Sequence, residues 1–191
     1  MSGLLAVILA AGFGRRIGRP KALLPMPGRG TFLDAVLAAS ASARPGLTVV
    51  VAGPWWAGPA PEGTVLAINP DPDRGQASSL RCAMAAAGID RSGVLVALVD
   101  HPLVRPATFA ALADLHEADP DAILIPEFDG RRGHPVVFPE WTFADLGGAE
   151  VDREGARVIV RSHPERVRRV PVEDPGIVTD VDTPADFRAL G

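Results

Sequence analysis

Leu4-Leu5-Ala6-Val7-Ile8-Leu9-Ala10-Ala11-Gly12-Phe13-Gly14-Arg15-Arg16-Ile17-Gly18-Arg19-Pro20-Lys21 is the stretch that decides the fold. Its opening run, Leu4 to Leu9, is continuously apolar, as a parallel strand covered on both faces must be. Gly12, Gly14 and Gly18 then allow a tight turn and a close approach of backbone to a ligand. Arg15, Arg16, Arg19 and Lys21 surround that turn with positive charge. Backbone N–H groups of a glycine loop, together with cations, make a site for phosphates. The competing reading of this segment alone is a plain strand-to-helix turn with solvated arginines.

Two better-known phosphate loops do not fit. A Walker loop requires Gly directly before the Lys and Ser or Thr after it, whereas Pro20 precedes Lys21 and Ala22 follows. The dinucleotide fingerprint requires G-x-G-x-x-G, whereas Gly12, Gly14 and Gly18 are spaced one residue too long. No second strand ending in an acid follows about 20 residues on, as NAD binding needs.

Downstream, apolar runs alternate with amphipathic ones. Strands are predicted at Leu47 to Ala52, Thr64 to Ile68, Val94 to Val99, Ala122 to Pro126, Pro135 to Phe138, Val167 to Pro171 and Ile177 to Val181. Helices are predicted at Phe32 to Ala43 (entered from Thr31), Ser78 to Ala87, Pro106 to Asp119, Ala156 to Ser162 and Pro184 to Leu190. Phe128 to His134 and Trp55 to Gly63 read as loops. Strands alternating with helices point to an α/β fold, a Rossmann-like three-layer sandwich with a mostly parallel sheet and helices on both faces. The 191 residues suit one domain.

Composition excludes several classes. No apolar run approaches the roughly 18 residues that span a bilayer. Met1-Ser2-Gly3 has no positive n-region of a signal peptide, which points to a cytoplasmic protein. A net charge of −4 argues against general nucleic-acid binding. The single Cys82 forbids an internal disulfide, and its Ala-rich surroundings suggest a buried small hydrophobe. One Cys and four scattered His without short ligand spacing argue against zinc. His116 and His163 read as surface residues.

Acidic residues supply a candidate metal site. Asp100 directly follows the strand Val94 to Val99, and ligands of open α/β sheets bind at the carboxyl ends of strands. A carboxylate there is well placed for Mg²⁺, which takes one or two carboxylates plus phosphates and waters. Helix capping is the bland alternative, weakened by the distance to Pro106. Asp180 and Asp182, two apart on an extended segment, face the same way. Either could complete the metal site, and Asp182 or Thr183 could instead cap the helix entered through Pro184. His134, after Arg131, Arg132 and Gly133, sits in a loop suited to an acceptor's phosphate, or in an exposed cationic hairpin.

The pattern L-A-A-G-x-G-x-R-x-G-x-x-K resembles the signature of small GT-A-like (MobA-like) nucleotidyltransferases, closest to the molybdenum-cofactor cytidylyltransferases. The resemblance extends through Asn69 to Leu80, Asp100-His101-Pro102, Gly133-His134-Pro135 and Asp180 to Asp186, five motifs in the expected order. It implies a Mg²⁺-dependent transfer of CMP from CTP to a phosphorylated acceptor, the molybdenum cofactor, with release of pyrophosphate. A molybdoenzyme or its chaperone would then be a partner, and neither nucleic acid nor membrane. On this resemblance Arg16, Lys21 and Asp100 are catalytic. Leu9, Ala10, Ala11, Gly12, Gly14, Arg15, Gly75 and Ser79 join them around the nucleotide. His101, Arg132, Gly133, His134 and Pro135 hold the acceptor, and Asp100 with Asp180 or Asp182 holds the metal. His101 departs from the Met or Gln common inside the Asp-x-Pro motif. Ala11-Gly12 stands where the guanylyl branch usually has Gly-Gly, which favours CTP. Transfer of GMP, a sugar-phosphate or phospholactate acceptor, and a non-catalytic nucleotide or cofactor carrier are the alternatives.

Overall fold

A computed structural model describes residues 3–88 and 90–190; Met1 and Ser2, on which the signal-peptide reading partly rests, lie outside them. The apolar run becomes strand β1 (Leu5–Leu9), every residue of which is buried. β2 (Leu47–Ala52) and β4 (Gly93–Leu98) pair with it in parallel on either side. β3 (Val65–Ile68) extends the sheet beyond β2. On the other flank β7 (Val136–Pro139) runs antiparallel to β4, and β5 (Ile123–Phe128) antiparallel to β7. β5 also pairs with β6 (Arg131–Arg132) and with the parallel β8 (Val167–Pro171). The result is an eight-stranded mixed sheet in the order β3-β2-β1-β4-β7-β5, with β6 and β8 on β5.

Period-2 alternation divides the strands between two cores. Ile8, Val50, Leu95 and Val137 face helices α1 (Phe32–Ser40) and α3 (Pro106–Ala118), whose Phe32, Val36, Phe109 and Leu112 bury against them. Leu5, Val7, Val96 and Phe138 face α2 (Gln76–Ala87) and the short helices α4 (Phe143–Leu146), α5 (Ala149–Glu154) and α6 (Arg157–Ser162). The last helix, α7 (Pro184–Arg188), follows a capping box in which Thr183 and Asp186 satisfy each other's backbone N–H groups. Thr31 and Asp34 form the same device at the start of α1.

The expected α/β sandwich is present, with local differences. Ile177 to Val181 is not a strand. Asp174-Pro175-Gly176 is turn chemistry, and Pro175–Val178 forms a 3₁₀ turn capped by the Asp174 side chain. The apolar signal there is real, since Ile177 and Val181 are buried. The Phe128 to His134 loop contains β6, and α4 and α5 are additional helices separated by Gly147-Gly148. Their brevity left no periodic pattern to read. His116 is buried, contrary to expectation: it continues the inward stripe Phe109, Leu112, Ala113 of α3. Gly93 makes room for it, because a Cβ there would lie 2.6 Å from His116 Cε1. His163 packs edge-on to Trp141 at 4.8 Å, and Cys82 is half-buried.

Candidate active site

Past β1 the chain turns at the C-terminal edge of the sheet. Gly14 adopts φ +66°, and a Cβ there would come 2.5 Å from the Arg19 carbonyl oxygen, so the turn requires glycine. The N–H groups of Ile17 and Gly18 both donate to the Gly14 carbonyl, at 2.9 Å each. A short 3₁₀ turn, Lys21–Leu23, then anchors Ala22 in the core and aims Lys21 back across the strand ends. Trp55 fixes the loop from beneath: its Nε1 donates to the Ala11 carbonyl at 3.0 Å. Trp55 and Trp56, 5.8 Å apart, pack on the α1 and α3 core. This places the tryptophan loop in a supporting role that the sequence left open.

Lys21 joins the two acidic motifs. Its Nζ donates to Asp100 Oδ2 at 3.2 Å and, more closely, to Asp182 Oδ1. Arg16 adds a longer contact, NH1 to Asp182 Oδ2 at 3.5 Å. Half-burial pulls the Lys21 pKa down, but hydrogen bonds and charge from Asp182 and Asp100 outweigh it, so the net shift is upward. The hydrogen bond from Lys21, opposed by burial and aided by the charges of Lys21 and Arg16, holds the Asp182 carboxyl below its ordinary range. Asp180 is exposed beside Asp182. Neither Asp100 nor Asp182 is a helix cap, whereas Thr183 is one. Asp100 precedes α3 by too many residues, and the carboxylate at that helix start is Asp174, which accepts from the Arg105 N–H and the Thr108 hydroxyl. Thr183 caps α7, which leaves the Asp182 carboxylate facing Lys21.

The strand-end groove has a volume of about 210 Å³. Leu9, Ala11, Gly12, Gly14, Lys21, Gly75, Ser79 and Asp100, all expected around a nucleotide, line it together with Gln76. Ala10 is fully buried among the α1-side residues, so only its backbone faces this edge. Arg15 is exposed and pairs with Asp73 at 2.5 Å. Asn69 organises the far wall: buried itself, it donates to Ser78 Oγ and Ser79 Oγ at 2.8 and 2.9 Å and accepts from the Asp71 N–H. Ser79 is therefore both a groove residue and a held one. Asn69 and Trp55 are the residues whose roles spacing did not reveal, because their partners lie far off in sequence or on the backbone.

Asp100 and Asp182 converge on one ammonium with hard carboxylate oxygens. Among the described residues, no cluster of three or more His, Cys, Asp or Glu side chains is arranged to hold a metal. Two carboxylates, with the remaining positions left to phosphates and waters, suit a divalent cation of the Mg²⁺ type rather than an all-protein cage.

His101 and His134 pack as a tilted pair beside this centre, with ring centroids 5.6 Å apart and planes at 51°. His134 hydrogen-bonds to the Val96 backbone, and its Nδ1 is buried without a partner among the described residues. Burial, and secondly the neighbouring His101, lower its pKa to about 4, so it is a neutral imidazole at neutral pH. The His134 backbone N–H donates to the Ile177 carbonyl at 3.0 Å, and the adjoining Gly133 packs on that same carbonyl too closely for any side chain. Arg132, Gly133 and His134 line a second, larger cavity that meets the nucleotide groove at Leu9 and Gln76. Pro135 is buried behind them.

Residues 6–167 match the model of the MobA-like NTP transferase domain. The chain belongs to this family. Its chemistry is accordingly nucleotidyl transfer. It is 32% identical over 188 residues to nicotine blue oxidoreductase of Paenarthrobacter nicotinovorans, covering 93% of this chain and 91% of that one. Rv0371c of Mycobacterium tuberculosis H37Rv, solved in complex with manganese, superposes with a TM-score of 0.80 at 31% identity over 99% of this chain and 97% of that one. The fold is also that of a molybdopterin-guanine dinucleotide biosynthesis protein A from Archaeoglobus fulgidus, with a TM-score of 0.67 at 21% identity over 97% and 96% of the two chains. No described helix is long and apolar enough to cross a membrane.

Proposed function

We propose that this protein is a Mg²⁺-dependent cytidylyltransferase of the cytoplasm, carrying CMP from CTP to the phosphate of a small acceptor, the molybdenum cofactor. The observation that carries the reading is the Asp100–Lys21–Asp182 bridge at the mouth of the glycine-loop groove. An acceptor phosphate oxygen attacks the α-phosphorus of CTP. The bond from that phosphorus to the bridging oxygen breaks, and its electron pair leaves with pyrophosphate. A phosphate nucleophile is already ionised at neutral pH, so positioning and charge stabilisation suffice. Lys21 and Arg16 neutralise charge that builds toward the leaving pyrophosphate, and the loop backbone from Ala11 to Gly14 seats the nucleotide. A divalent ion held by Asp100 and Asp182 would share that neutralisation; the manganese complex of Rv0371c supports divalent-metal use. Ala11 before Gly12 is the feature that favours CTP over GTP.

The test is pyrophosphate release across CTP, GTP, ATP and UTP with Mg²⁺ or Mn²⁺, each with molybdopterin-type cofactor and with a panel of sugar phosphates and phospholactate. Release confined to CTP with the cofactor is expected. Release with GTP or another acceptor overturns the cytidylyl or cofactor assignment and keeps the chemistry. Nucleotide binding without release from any pair makes the protein a carrier instead.

A further inference from the structure

Lys21 lies between two surfaces of opposite character. On one side its stem runs against the glycine loop: a Cβ on Gly14 would lie 3.1 Å from Lys21 Cγ, so the glycine leaves the lysine its path. On the other side its ammonium meets Asp100 Oδ2 at 3.2 Å and Asp182 Oδ1 more closely. Lys21, Gly12, Gly14 and Asp100 all line the nucleotide groove. The two carboxylates have supports of their own. The Val181 N–H donates to the Asp100 carbonyl at 2.8 Å, and the Asp182 N–H donates to Asp186 Oδ2 at 3.1 Å. These bonds hold the two acidic segments together whichever way the lysine turns. Lysine carries a compact charge and three donors on a flexible stem, so its ammonium can exchange one set of oxygens for another without backbone movement. One ammonium also leaves two carboxylates incompletely neutralised, and Arg16 reaches only Asp182, at 3.5 Å.

We infer that Lys21 blocks the metal-binding carboxylates of its own site, and that a triphosphate unblocks them by drawing the ammonium toward the glycine loop. The inference rests on the nucleotidyl-transfer reading above and on its assignment of Asp100 and Asp182 to a divalent ion. A divalent ion on these oxygens stands within a few ångströms of the Lys21 ammonium, and like charges so close repel strongly. Phosphate oxygens in the groove offer the ammonium another partner. No covalent bond changes: Lys21 trades carboxylate for phosphate oxygens, and Asp100 and Asp182 become available to the ion. Lys21 therefore has a duty beyond charge stabilisation, which is to make metal and nucleotide bind as a pair. By linkage, the factor by which the triphosphate tightens the metal equals the factor by which the metal tightens the triphosphate.

The experiment titrates the full chain with Mn²⁺ at neutral pH and reads the free ion by electron paramagnetic resonance, with no acceptor present. Wild type alone is expected to bind Mn²⁺ weakly. Lys21→Met and Lys21→Gln should bind it at least tenfold more tightly, within the roughly 5- to 150-fold typical of coupled sites. Lys21→Arg, which keeps the charge, should not. Adding Asp182→Asn to Lys21→Met should abolish the gain. CTP should tighten Mn²⁺ on the wild type by a comparable factor, once the affinity of CTP itself for Mn²⁺ in the same buffer is taken into account, and cytidine, which lacks phosphates, should leave it unchanged. Thermal unfolding establishes that each variant is folded, and the CTP and cytidine arms need no variant. Equal Mn²⁺ affinity in wild type, Lys21→Met and Lys21→Gln overturns the inference, as does a wild-type affinity that CTP leaves unchanged. Either result alongside pyrophosphate release keeps nucleotidyl transfer. Failure of CTP binding and of release with every acceptor sinks the transfer reading itself.

Discussion

The two flanks of the sheet are built by different means. On the β3-β2-β1-β4 side, strands are parallel, long stretches are buried, and the nucleotide groove is shaped by backbone and by two fixed supports, Trp55 and Asn69. On the β7-β5-β8 side, pairing is mixed, the covering helices α4 to α6 have six residues or fewer, and the pocket is defined by exposed arginines and apolar walls. The contrast teaches that the glycine-loop groove is braced by side chains from distant segments, while the opposite flank is covered by short helical pieces. Function varies most readily on such pieces.

The sharpest way to break the comparison is at the bridge between the flanks. Asp100→Asn or Lys21→Met should lower kcat for pyrophosphate release by roughly 10²- to 10³-fold, the size expected for removing one preorganised charge from a transition state. An Asp180→Asn variant should change kcat far less if Asp182 is the second metal ligand, and equal losses would assign Asp180 instead. Next in size is Asp174, a buried carboxylate that serves the Arg105 N–H, the Thr108 hydroxyl and the Gly176 N–H. Asp174→Ala strands these donors and should cost roughly 3–5 kcal/mol of stability in urea unfolding.

His134 tests the acceptor flank through pH. Its folded-state pKa of about 4 lies below its ordinary 6.5, so protons bind more tightly to the unfolded chain. The neutral ring therefore contributes its full share above about pH 6.5, and that share is lost as pH falls toward 4, reaching roughly 2–3 kcal/mol. His134→Gln should remove this portion of the acid slope in denaturant midpoints measured from pH 7 to 4; identical slopes would refute it. The smallest effect belongs to Trp55→Phe, which keeps a ring and loses the bond to the Ala11 carbonyl. About 1 kcal/mol is at stake, seen as a several-fold rise in KM for the nucleotide with kcat nearly unchanged. A fall in kcat alone would place Trp55 outside loop positioning.

The nucleotide flank was the more legible from sequence, for physical reasons. Leu4 to Leu9 can be read because a buried strand has no polar face, and Gly14 because its conformation and crowding permit nothing else. Asp100 follows from its place at a strand end. The spacing of Asp180 and Asp182 leaves their roles open; the structure gives the cap to Thr183 and turns the Asp182 carboxylate toward Lys21. Ile177 and Val181 mimicked a strand since their side chains are buried while their backbone is turned. His116 was misjudged because the space for it is created by Gly93, on a different element. The cavity under α6 could not be read at all, since its walls come from six separate segments.

The segment after β8 has one more consequence. Every strand of the sheet ends by Pro171, yet Asp182 arrives eleven residues later, on a stretch tied down by Asp174, by the bond from the Val181 N–H to the Asp100 carbonyl, and by buried Ile177 and Val181. The sheet and one of the two carboxylates that meet Lys21 are thus written in separate portions of the chain. A single cleavage between Pro171 and Asp174 would part Asp182 from Lys21 and Asp100, and the excised peptide, added back in trans, is expected to restore that bridge.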